Sequence, residues 1–123
     1  MKVLDLCSGI GGFSLGLEMA SPEFETVAFC EIEPFAQQVL KKHWPDVPIY
    51  PDIKELTHDR LQKDGIPAVD IVCAGFPCQP YSGAGEQRGT ADDRDQWPEV
   101  FRLIQEIRPT WGIFENVAGF VNL

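Results

Sequence analysis

Two kinds of side chain in this sequence stand where chemistry could be done: thiols and carboxylates at the ends of short apolar runs. Cys78 follows the strand-like run 71–74 and the stretch Gly75-Phe-Pro-Cys-Gln79. Phe76 precedes a proline and is pushed out of the helical region, so Cys78 sits on the lip of a loop. Ligands of an open parallel sheet sit at the carboxyl ends of its strands. A thiol there is placed to react, whereas Cys73, inside the run, is placed to pack. Glu115 ends a second apolar run, Thr110-Trp-Gly-Ile-Phe114. A carboxyl recessed at such a rim holds its proton more tightly and can donate it to a ring nitrogen. A nucleophilic thiol beside an acid is the pairing needed to attack an electron-poor pyrimidine carbon. Each residue also has a plainer reading. Free cysteine is among the most buried residue types, which suits Cys7, Cys30 and Cys73, and Glu115 could be an exposed or capping charge. A thiol of pKa ~8.5 is only a few per cent thiolate at neutral pH, so the site or a bound cation must activate it. His43 and His58 lie in helical or loop contexts away from Cys78, so a Cys-His dyad is not indicated.

A second group of residues suits a nucleotide-like ligand. Cys7-Ser-Gly-Ile-Gly-Gly12 follows the apolar run 3–6 and opens a helical pattern. Its glycines let backbone approach a ligand closely, although a tight strand-to-helix connection alone would use the same residues. Glu31 lies 19 residues beyond Gly12, about where an acid in nucleotide-binding units meets ribose hydroxyls. Glu33 and Pro34 suit the start of a helix instead. Asp52 and Ile53 follow another short run and could hold an adenine by its amino group and its face. Alternatively, Asp52 caps a short helix from Ile53.

These residues need a scaffold that brings strand ends together. Apolar runs at 3–6, 26–30, 47–50, 71–74 and 110–114 read as strands, the third an edge strand because Pro48 cannot join a central ladder. Helical patterns begin at Phe13 and span 35–43, 56–63 and 97–107. Phe35, Ala36, Val39 and Leu40 share one face of the second, and Pro98 is tolerated in the first turn of the last. Alternation of this kind predicts an α/β fold, a parallel sheet with right-handed crossovers and helices on both faces. The glycine turn, Glu31, Asp52, Cys78 and Glu115 then fall on one rim. Residues 79–95 lack hydrophobic periodicity, and loops of that length are often lids or binding loops. Ser82, Gln87, Arg88 and Arg94 are its hydrogen-bond donors.

Composition narrows the function classes. The 123 residues suit one domain, and no apolar run in the sequence approaches the ~20 residues of a membrane span. The absence of a targeting segment points to a cytoplasmic protein. Four cysteines in neither a disulfide framework nor a zinc spacing fit a reduced compartment. The net charge of -9 is wrong for a free-standing nucleic-acid module, whose affinity comes largely from phosphate neutralisation. A nucleic-acid function needs basic surface from elsewhere.

Taken in order, Asp5-Leu-Cys-Ser-Gly-Ile-Gly-Gly12, Gly75-Phe-Pro-Cys-Gln79 and Glu115-Asn-Val117 closely resemble the motifs of the C5-cytosine DNA methyltransferases. The resemblance implies a Rossmann-like domain that uses S-adenosylmethionine and acts on double-stranded DNA, as in bacterial or phage restriction-modification. It implies that Cys7, Ser8, Gly9, Ile10 and Gly12 line the methionine end of the cofactor and that Glu31 holds ribose. Ile32 and Ile53 would flank adenine, Asp52 would meet its amino group, and Gly75 and Pro77 would border the cofactor. Cys78 and Glu115 would be catalytic, with Pro77, Gln79, Ser82, Gln87 and Asn116 against the substrate; no metal is implied. Two departures stand out: Cys7 replaces the family's usual phenylalanine, and Gln96-Trp97 replaces a leucine-phenylalanine pair. The family's Gln-x-Arg motif, target-recognition domain and final motif have no counterpart here. The expectation is that residues 1–123 form the N-terminal part of the catalytic domain, inactive alone, with a complementing chain or self-association through an exposed sheet edge. An RNA (tRNA) cytosine-5 methyltransferase and a non-catalytic cofactor-binding part of a split protein are the alternatives.

Overall fold

The computed structural model describes residues 1–75 and 97–115. Strands β1 (Lys2–Leu6), β2 (Glu25–Cys30), β3 (Ile49–Tyr50), β4 (Ile71–Gly75) and β5 (Trp111–Glu115) alternate with helices. These are α1 (Gly12–Ala20), α2 (Pro34–His43), α3 (His58–Lys63) and α4 (Trp97–Ile107). All strand pairs are parallel, and their order across the sheet is β3-β2-β1-β4-β5. The chain therefore walks outward from β1 to β3, then returns to lay β4 on the other side of β1. That reversal opens a crevice at the carboxyl ends of β1 and β4, the place where such sheets bind ligands.

The inner strands are near-continuous apolar runs because both of their faces are covered. On one face Leu4, Leu6, Val72 and Ala74 pack with Leu61 of α3 and Val100 and Leu103 of α4. On the other, Val3, Ile71 and Cys73 pack with Phe13 and Leu17 of α1. Each fully buried leucine or valine of this kind contributes about 1.5–3 kcal/mol. The result is the expected sheet with helices on both faces.

Four local expectations are corrected. The apolar run of the last strand suggests burial, but Trp111 is 59% exposed and Phe114 38%, because among the described residues β5 has a neighbour on one side only. Phe35 is 72% exposed, since Ala36 and Leu40 carry the buried side of α2. No helix starts at Ile53. Asp52 instead accepts the Lys54 N–H at 3.0 Å within a turn. The following helix begins at His58 rather than Leu56, because Thr57 caps it, its Oγ1 accepting the Arg60 N–H at 3.0 Å.

Candidate functional site

The glycine turn between β1 and α1 is built from left-handed backbone at Cys7, Gly9 and Gly11, with φ of 50°, 57° and 90°. Glycine adopts such angles freely, while a β-carbon makes them costly at Cys7. The turn is tied to β2 by the Ser8 N–H, which donates to the Cys30 carbonyl at 3.1 Å, and closed by Gly11 N–H to Ser8 O at 2.9 Å. The Ser8 hydroxyl donates to the Asp5 carbonyl at 2.5 Å. Nothing lies within 4 Å of where a β-carbon would stand on Gly9 or Gly12. The outer side of the turn is open, and Ile10 at its tip is 62% exposed.

Glu31 stands beside this turn at the end of β2. Its Oε1 accepts the Gly9 N–H at 2.7 Å and its Oε2 the Glu33 N–H at 2.9 Å. Each oxygen keeps a lone pair, so the carboxylate can still accept further hydroxyl donors. Glu33 is the N-cap residue of α2 with Pro34 next, as the sequence predicts. Ile32 is 49% exposed, whereas Ile53 is 4% exposed and part of the core. A cleft of about 180 Å³ lies at the end of β3, lined by Tyr50, Pro51, Asp52, Glu55, Leu56 and Arg60.

The other half of the crevice forms where β4 and β5 end in register, Gly75 opposite Glu115. A β-carbon on Gly75 would lie 3.6 Å from Glu115 Oε1 and 3.7 Å from Phe13 Cε2. A carboxyl from β5 and a ring from α1 thus both approach the end of β4, each at ordinary van der Waals distance from such a β-carbon. Glu115 is exposed rather than recessed, a correction that follows from the edge position of β5.

Burial separates the cysteines. Burial, then the Glu31 and Asp5 carboxylates, pushes the Cys7 thiol up to about 12. Burial, with Cys7, Glu31 and Asp52 adding to it, raises Cys30, and burial with Asp5 raises Cys73. All three thiols stay protonated at neutral pH. Pro77, Cys78, Gln79, Ser82, Gln87 and Asn116 lie outside the described residues. Among the described residues no cluster of His, Cys, Asp and Glu could hold a metal ion, and no helix is long and apolar enough to cross a membrane.

Two features escaped the sequence reading. Asp5 is 1% exposed in the middle of β1, where an acid in an apolar run was the available signal. Its Oδ2 accepts the Ser14 hydroxyl of α1 at 2.7 Å, and desolvation pushes its carboxyl up to about 6, against hydrogen bonds from Ser14, Ser8 and Cys73. Among the described residues its Oδ1 has no N–H or O–H donor; Cys73, opposite in β4, offers only a weak thiol. The second feature is Trp44, whose ring underlies Gly11. Nothing in its spacing announced that contact.

The whole chain, residues 1–123, matches the family model of the C-5 cytosine-specific DNA methylases. It is 40% identical over 119 residues to the Type II methyltransferase M.NgoMIV of Neisseria gonorrhoeae, covering 97% of this chain and 36% of that one. Among solved structures, a DNA modification methyltransferase encoded within an E. coli prophage superposes with a TM-score of 0.80 at 28% identity, covering 98% of this chain and 33% of that one. A mutant of Spodoptera frugiperda DNMT2 superposes with a TM-score of 0.75 at 27% identity, over 99% and 37%. The chain thus spans about a third of the length of these relatives. With its glycine turn and its Gly75–Glu115 rim on a sheet of this order, the chain belongs to the C-5 cytosine-specific DNA methylases.

Proposed function

We propose that residues 1–123 are the N-terminal part of the catalytic domain of an enzyme that methylates C5 of cytosine in double-stranded DNA, and that the protein acts in the cytoplasm. The observation that carries this reading is the Glu115 carboxyl beside Gly75, three residues before Cys78 in sequence, across the crevice from an open glycine turn.

Family membership implies S-adenosylmethionine as the methyl donor, and the residues present fit it. The open side of Gly9 and Gly12 leaves room for a ligand against backbone. Cys7, Ser8, Gly9, Ile10 and Gly12 would hold its methionine end, and Glu31 its ribose through the lone pairs that Gly9 and Glu33 leave available. Ile32 and Ile53 would flank adenine and Asp52 would accept from its amino group, with Gly75 and Pro77 at the border. When bound, S-adenosylmethionine supplies an electrophilic methyl group on a positively charged sulfur.

The remaining chemistry belongs to the chain. The target cytosine must leave the duplex stack, because its C6 is unreachable within it. Cys78 as thiolate adds to C6 while Glu115 donates a proton to N3, so negative charge does not accumulate on the ring and C5 becomes nucleophilic. Once C5 carries the methyl group, its proton passes to solvent, the bond to sulfur breaks to free the Cys78 thiolate, and N3 returns its proton to Glu115. The high pKa of the other three thiols supports Cys78 as the nucleophile. Pro77, Gln79, Ser82, Gln87 and Asn116 would contact the substrate.

Duplex DNA carrying 5-fluorocytosine tests the reading, because fluorine at C5 blocks the final elimination. Given a complementing C-terminal part, the wild-type chain should form a covalent adduct that Cys78→Ser abolishes. An adduct that survives Cys78→Ser overturns the mechanism. Transfer to tRNA but not to duplex DNA would instead favour an RNA methyltransferase.

A further inference from the structure

The glycine turn rests on a side chain from the far end of α2. Gly11 is buried, and a β-carbon there would lie 2.7 Å and 2.9 Å from Trp44 Cζ3 and Cη2 and 3.0 Å from Leu40 Cδ2. The outer edge of the indole therefore presses on the Cα of the residue that also caps α1. The ring is itself fixed. Its Nε1–H donates to Glu18 Oε1 on α1 at 3.0 Å, and Glu18 Oε2 accepts the Thr26 N–H of β2 at 3.3 Å. Phe29 of β2 meets it edge-on, with centroids 5.1 Å apart and planes at 63°. Its backbone is held too, the Trp44 N–H bonding the Leu40 carbonyl at 2.8 Å at the end of α2.

We propose that Trp44 is a positioning residue of the cofactor site: its ring, oriented by Glu18, supports Gly11 from beneath and so fixes the turn that faces the ligand. This rests on the reading of residues 7–12 as cofactor-binding. Gly11 and Gly9 supply left-handed backbone that many conformations could satisfy. Glu31 restrains the turn from its side through Gly9, and Trp44 restrains it from below. A smaller side chain at 44 leaves a space under Gly11 into which the turn can sink, and binding sites lose affinity when their supporting shell is loosened.

Amide hydrogen exchange of the full chain reads the turn without any cofactor. The Gly9 and Gly11 amides, bonded to Glu31 and Ser8, are followed relative to the Val72 amide in the core strand. In Trp44→Leu the two glycine amides should exchange about tenfold faster on that scale, with Trp44→Phe in between. If Trp44→Leu does not fold, Glu18→Ala removes the orienting acceptor and should shift the same ratio in the same direction. An unchanged ratio in the folded variant overturns the proposal. Calorimetry with S-adenosylhomocysteine on the complemented protein supplies the second readout, where Trp44→Leu should weaken binding about tenfold. A wild-type protein that binds no S-adenosylhomocysteine, with the exchange ratio still responding to position 44, would remove the function reading and leave the Trp44 support of the turn standing.

Discussion

Asp5 is a carboxyl buried between α1 and the sheet, and its ionisation should shape the stability of the protein. Its folded pKa of about 6 stands above the ordinary value of 3.8, chiefly through desolvation. Below about pH 4 both folded and unfolded chains hold the proton. Between about pH 4 and 6 the unfolded chain releases it first, so folding stability falls as pH rises through that window and levels off above it. The drop is on the order of 3 kcal/mol. Glu25, Asp64 and Glu106, whose pKa values are lowered by their partners Lys2, Tyr50 with Arg60, and the His58 amide, act in the opposite sense and lose their contribution as pH falls. Comparing wild type with Asp5→Asn by denaturant unfolding at several pH values isolates the one group. The difference between the two should grow from pH 4 to 6 in favour of the variant; parallel curves would show that Asp5 does not titrate there.

Elements meet the site through a few polar ties, and Arg102 of α4 is the clearest. Its Nε donates to Glu99 at 2.9 Å, its Nη1 to Glu106 at 3.1 Å and its Nη2 to the Ile53 carbonyl at 2.9 Å. Glu106 in turn accepts the His58 N–H at the start of α3 at 2.9 Å. One guanidinium thus joins α4 to the turn that carries Asp52 and Ile53. Ion pairs this exposed contribute little, so the bond to the carbonyl carries most of the effect. Arg102→Met should cost about 1–2 kcal/mol in urea unfolding and weaken cofactor binding, whereas a variant as stable as wild type would exclude the tie. Sequence periodicity found this helix to the residue, because Val100 and Leu103 face the core and Pro98 is harmless in its first turn. The same periodicity misjudged Phe35 and the edge strand, since it registers apolar spacing and not which neighbours a sheet supplies. The glycine turn and the place of Glu31 at the end of β2 were legible because backbone conformation and charge leave marks in residue type. The meeting of Gly75, Phe13 and Glu115, and of Gly11 with Trp44, depends on strand order and helix docking, which no local pattern encodes.

On the scale of the whole molecule, charge and edge point the same way. The chain carries a net charge of -9, and Glu31, Asp52 and Glu115 stand at the carboxyl ends of its strands. DNA affinity comes mainly from cations replacing counterions at phosphates, and this rim offers phosphates repulsion. On the far side, Trp111 and Phe114 of β5 are exposed along a strand that, among the described residues, has a neighbour on one side only, the kind of edge that proteins cover or pair. The chain spans about a third of its relatives, which supports a division in which other polypeptide covers that edge and supplies the basic surface. The expected outcome is that the purified 123-residue chain transfers no tritiated methyl from S-adenosylmethionine to duplex DNA. A polypeptide corresponding to the remainder of the relatives should restore transfer. In the restored complex, log affinity for DNA should fall with log salt at a slope near 0.9 per phosphate contacted, reporting cations that the partner brings. Measurable transfer by the chain alone would show that its acidic rim can seat DNA unaided, and the division of labour would fall.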